Sequence, residues 1–84
     1  MPALKVICVY WVDASHYGDS REIDWLRDNA RPVRNTSVGF AIKENRELII
    51  IAHEVDEQGR ARNTTVIQRK DVIKVEYLKP VVKK

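Results

Sequence analysis

Hydrophobic residues crowd the chain first between Leu4 and Val12. The run LKVICVYWV is apolar on both alternations, with Ile7, Val9 and Trp11 on one and Val6, Cys8, Tyr10 and Val12 on the other. Such a run predicts a strand covered on both sides, one face on a core and the other under a helix or a second subunit. The period then changes. Asp19 followed three residues later by Glu22 has the form of a capping box, and Ile23, Leu26 and Ala30 recur at helical spacing. A short helix over about 20–30 is expected, ended by Pro32 and serving as the cover for the first strand. Trp25 falls off its apolar stripe, at the edge or toward a partner.

Beyond Pro32, Val38, Phe40 and Ile42 alternate with Ser37, Gly39, Ala41 and Lys43. This predicts a second strand, bent or bulged at Gly39. Residues 44–47 form a polar hairpin connection to Leu48–Val55, a run apolar on both sides and therefore central. Asp56–Gly59 reads as a turn and Arg60–Asn63 as a polar loop. Two short strands follow, Thr64–Arg69 and Ile73–Leu78, with only Lys70, Asp71 and Val72 between them, a spacing that suits a 3₁₀ turn. Phe40, Ile50 and Val75 lie on the dominant faces of three strands and are the expected core. The predicted fold is mainly β, a five-stranded small barrel with one short helix inserted after strand 1, and residues 1–84 form a single domain.

Two resemblances attach to these residues. The segment VGFAIKENRELIIIAHEV followed by TTVIQRKDVIKVEYL resembles the two halves of an Sm-like barrel, while a strand preceding the helix is closer to an SH3-like layout. The Sm-like resemblance implies binding of RNA or another single-stranded nucleic acid, with Glu44 and Asn45 in the comparable hairpin. Trp11, Asp13, Ala14 and Ser15, with Ser37–Phe40 further on, are similar to segments of small phage and prophage proteins of unassigned function, a likeness spanning nearly the whole chain. It implies a phage or prophage type of protein and no particular activity.

Charge alters this picture little. Fifteen basic residues face twelve acidic ones, a net charge of +3, and removing Lys79, Lys83 and Lys84 brings it to zero. The basic tail 79–84 is thus read as a solvated end, and the total does not point to a nucleic-acid partner. Cys8 is the one cysteine, so no disulfide can form within the chain. No run approaches the ~18–20 apolar residues of a membrane span, and the N-terminus does not read as a signal peptide. A cytoplasmic location is expected, the host cytoplasm if the protein is phage-encoded.

Candidate chemistry is sparse. His16 and His53 are the only imidazoles, neither has a second His or a Cys at ligand spacing, and neither a G-x-S-x-G turn nor a phosphate loop is present. The expectation is a non-enzymatic protein with no catalytic residue, no metal and no cofactor. For binding, Tyr17 and Trp25 flank the helix start, and Arg60, Arg62 and Asn63 occupy the loop before the last strands. Aromatic faces beside arginines can stack bases and hold phosphates, and the same residue types form protein-binding hot spots. A proline-rich ligand is not expected, because residues 70–72 offer no aromatic side chain. Strands 1 and 3 are apolar on both faces while one short helix covers only part of them, so a homo-oligomer is expected. The further partner is a protein or, alternatively, a nucleic acid.

Overall fold

A computed structural model describes residues 4–79; the basic tail beyond Lys79 lies outside them. Five strands and one short helix follow in the order β1 (Val6–Asp13), α1 (Ile23–Asn29), β2 (Val33–Glu44), β3 (Leu48–Val55), β4 (Ala61–Gln68) and β5 (Val72–Leu78). A 3₁₀ turn, Arg69–Asp71, joins the last two strands. All neighbouring pairs are antiparallel and the sheet order is β4-β3-β2-β1-β5.

Strands β4 and β5 lie at opposite edges, yet three residues connect them. A flat sheet would separate these edges by four inter-strand steps, roughly 19 Å, whereas a 3₁₀ turn of this length rises only about 8 Å. The sheet must therefore curl until its edges approach at the turn. The Arg69 amide donates to the carbonyl of Glu47 at 2.9 Å and its Nε donates to the carbonyl of Asn45 at 2.8 Å, fastening the turn to the β2–β3 connection. On the concave face the Tyr77 hydroxyl donates to Glu44 at 2.6 Å, tying β5 to the far end of β2. No β4–β5 ladder forms, so the curl stops short of closure.

Curling is localised by Gly39. A Cβ at this position would stand 2.7 Å from the carbonyl oxygen of Ala52, so only glycine allows the two backbones to cross here. Beyond the crossing the strands part company. The β2–β3 ladder runs only as far as Phe40–Ala52, with a register shift between Ala41 and Lys43 that leaves Ile42 in a bulge. The N-terminal half of β2 pairs with β1 alone, and from His53 onward the β3–β4 hairpin pairs only with itself, as a two-stranded ribbon.

Ile7, Val9, Ile49, Ile51 and Ile67 fill the concave side, with Trp11, Ala41, Val72 and Val75 packed against them. Trp11 keeps its indole N–H satisfied by donating to the Ser37 hydroxyl at 3.0 Å. Val75 takes its expected place, but Phe40 and Ile50 do not. The bulge and the pairing of Phe40 with Ala52 put both on the convex face, where they are half-buried. Local chemistry accounts for the turns. The Asn45 side chain accepts from the amides of Glu47 and Leu48, and that of Asp56 from Gln58 and Arg60. Gly59 supplies the positive φ of 80°.

Several boundaries differ from expectation. Residues 61–63 belong to β4, not to a loop, because the Asp56 turn closes the hairpin early and pairs Ala61 with Val55. Asp19 does not cap the helix. Its carboxylate accepts instead from Arg21, and Glu22 occupies the N-cap without a side-chain bond. Nor does the helix cover the first strand. No residue of α1 is buried, and it makes no extended contact with any strand.

Candidate interaction surface

Between Asp13 and Val33, the last pair of the β1–β2 ladder, the chain makes an excursion whose neck is held by the Ser15 hydroxyl donating to the carbonyl of Arg31 at 2.7 Å. We call residues 14–32 the arm. Its organising contact is a triad of Tyr17, Arg21 and Trp25. The two aromatic rings meet edge to face at 6.0 Å, and the Arg21 guanidinium lies 4.5 Å from the Trp25 ring and 5.1 Å from that of Tyr17. Arg21 also donates to Asp19, and that hydrogen bond holds the Asp19 carboxyl below its ordinary range. The charge of Arg21 is thus spent inside the arm. Trp25 remains 38% exposed and Ile23 67% exposed.

Arg60, Arg62 and Asn63 sit on the β3–β4 ribbon, in β4 or just before it. Arg62 forms ion pairs with Asp56 at 2.9 Å and Glu54 at 3.6 Å, so two carboxylates hold it before any ligand arrives. Asn63 adopts a positive φ of 55°, a backbone role that its residue type tolerates. Helix α1, which carries Trp25, makes no extended contact with β4.

The second apolar face expected from the double-sided runs of β1 and β3 is the convex face of the sheet. Alternation along the ladders places Val6, Cys8 and Tyr10 of β1 there with Val38 and Phe40 of β2, Ile50 and Ala52 of β3, Val66 of β4 and Leu78 of β5. Val38, Val66 and Leu78 are exposed, Val66 by 60%. Of the two covers those runs allow, the chain's own helix is not the one used, since α1 stands away from this face. A polar patch interrupts this face at β5. The Cys8 thiol and the Glu76 carboxylate beside the Tyr10 hydroxyl push the phenol up to about 12. Glu76 in turn is held low by the Tyr10 hydroxyl beside it and by Lys74, 3.1 Å away.

His16 and His53 are both exposed, and among the described residues no three His, Cys, Asp or Glu side chains are placed to share a metal ion. No helix among them is long and apolar enough to cross a membrane. Comparison of the chain with protein-family models, curated proteins and solved structures finds no significant match. The phage-type and Sm-like resemblances therefore stand on their residue patterns alone.

Proposed function

We propose that this protein is a non-enzymatic binding module whose partner is another protein, and that it also associates with copies of itself. We read the curled sheet as a small barrel of SH3-like or Sm-like type with its seam left between β4 and β5, in a phage or prophage type of protein acting in the host cytoplasm. One observation carries the choice of partner. Of the arginines near the candidate aromatics and on the β3–β4 ribbon, Arg21 and Arg62 are already matched to Asp19 and to the Glu54–Asp56 pair, which leaves Arg60 alone of the expected pair without a carboxylate among the described residues, while apolar side chains on the arm and the convex face stand uncovered. Phosphate recognition needs free cations, whereas protein recognition needs apolar anchors.

Salt separates the two. Labelled single-stranded RNA and DNA, followed by anisotropy against the purified protein at low and moderate salt, should show no steeply salt-dependent binding. Sedimentation at tens of micromolar, roughly where contacts of ~6–7 kcal/mol half-associate, should show self-association at both salts. Micromolar RNA binding that is lost in Arg60→Ala and Arg62→Ala would install nucleic-acid binding instead.

A further inference from the structure

We infer that the convex face of the sheet is covered by the α1 arm of a second copy, exchanged reciprocally. This rests on the self-association proposed above and names the surfaces that would carry it.

Three observations converge. First, α1 is seven residues long, its N-cap makes no side-chain hydrogen bond and none of its residues is buried. Isolated helices shorter than about 12–15 residues are marginal in water, so a two-turn helix needs a surface to lie on, and its own sheet does not supply it. Second, Ile23 and Leu26 share one side of this helix, while the convex face offers exposed Val38, Val66 and Leu78 around half-buried Phe40. Each surface is apolar and lacks what the other provides. Third, their charges are opposite. The helix and its N-cap carry Glu22, Asp24 and Asp28 against Arg27 alone, and only Asp24 is paired, with Arg27 at 3.6 Å. The convex face presents Arg34 beside Val12 and Lys43 beside Ile50, neither in an ion pair among the described residues. Seating α1 there would give Glu22 and Asp28 cationic neighbours.

Reciprocal exchange satisfies both surfaces in each copy, and a two-fold dimer is the smallest assembly that closes in this way. A radius of gyration of 16.9 Å, against roughly 12 Å for a compact domain of this length, fits elements that stand off the sheet and are free to reach a neighbour. The arm's neck, fixed by Ser15 and Arg31, leaves the helix as the part that docks.

The test is a mixed cross-link. Chains carrying Ile23→Cys are mixed with chains carrying Val66→Cys, both with Cys8→Ala, and oxidised mildly. Both sites are exposed, so neither substitution disturbs the core. The expected product is a disulfide-linked pair that forms in the mixture and exceeds what either variant gives alone. In sedimentation, Ile23→Asp should weaken self-association by roughly tenfold or more, the loss expected for an interface anchor, with an unchanged melting temperature measured under dilute, monomeric conditions. Self-association that persists with no mixed cross-link, or unweakened by Ile23→Asp, would assign it to another surface and overturn the arm exchange alone. A strict monomer would overturn self-association as well. A disulfide formed within a single monomeric chain carrying both cysteines would show that the arm folds onto its own sheet, and that result also refutes exchange.

Discussion

Replacing Gly39 by alanine is the most direct probe of how the sheet curls. The added Cβ would meet three backbone atoms of Ala52, with the oxygen at 2.7 Å, the carbonyl carbon at 3.2 Å and the nitrogen at 3.4 Å. None belongs to a flexible side chain, so the strands must separate, and they do so where the β2–β3 ladder ends. Forcing extra volume into a packed site costs typically 1–3 kcal/mol. Against this stands about 0.4–1 kcal/mol gained by restricting the unfolded chain. The balance is a loss of about 1–2 kcal/mol in a domain whose total stability is on the order of 4–13 kcal/mol, a fall of roughly 5–15 °C in melting temperature. Urea denaturation followed by circular dichroism should give a lower midpoint at an unchanged slope. Gly18→Ala is the control, because its Cβ would meet only the His16 ring, at 3.5 Å. If Gly39→Ala melted within about 0.5 kcal/mol of the parent, as an ordinary surface change does, the close crossing of β2 and β3 would be refuted.

Two further outcomes follow from the same geometry. Ile51 is fully buried in the core and Phe40 is half-buried on the convex side, so Ile51→Ala should cost about 2–5 kcal/mol and Phe40→Ala about 1–2 kcal/mol; equal losses in chemical denaturation would show the register of β2 to be wrong. Tyr10, raised from 10.0 to about 12, favours the native state through its neutral phenol. That contribution is complete below pH 10 and lost as pH rises through about 12. A near-ultraviolet phenolate titration should contain a late step that disappears in Tyr10→Phe, and its persistence there would assign the step to another tyrosine.

The sequence made the number and order of elements legible because each is bounded by a residue with a mechanical role. Pro32 ends the arm, Asn45 and Asp56 build the two hairpin turns, and the spacing between Gln68 and Val72 leaves room only for a 3₁₀ turn. Gly39 was legible as a bend for the same reason. What could not be read was which face is the interior. Leu48 to Ile51 are consecutive aliphatic residues, so periodicity alone does not choose between Ile50 and the pair Ile49 and Ile51. The bulge at Ile42 compounds this by moving one residue of β2 across the sheet without a mark in the pattern. The arm failed differently. Asp19 and Glu22 have capping-box spacing, but Arg21 lies close enough to take the carboxylate, and a strong local ion pair displaced a cap. Each expected binding residue has chemistry suited to the role, yet Arg62 is matched by acids that the hairpin register brings beside it, a pairing invisible before the register is known.

The free edges bear on how such a sheet associates. A curled sheet left unpaired between β4 and β5 exposes two rows of backbone donors and acceptors, the usual route to edge-to-edge growth. Here both rows are irregular. Strand β5 shifts register opposite Tyr10 and Trp11 and carries Lys74 at that point. Strand β4 begins with Ala61 and Arg62, followed by Asn63 at positive φ, which breaks the extended run near its start. Lysine, bulges and kinks are the devices by which natural sheets discourage edge pairing. The convex face carries no equivalent protection across its middle, where Val38, Phe40, Ile50 and Val66 follow one another from β2 to β4 with Lys43 as the only charge among them. Guarded edges beside an unguarded apolar face favour the proposed association through that face over edge pairing, and the helix that its own sheet does not hold is the element of matching polarity and opposite charge that the proposal seats there.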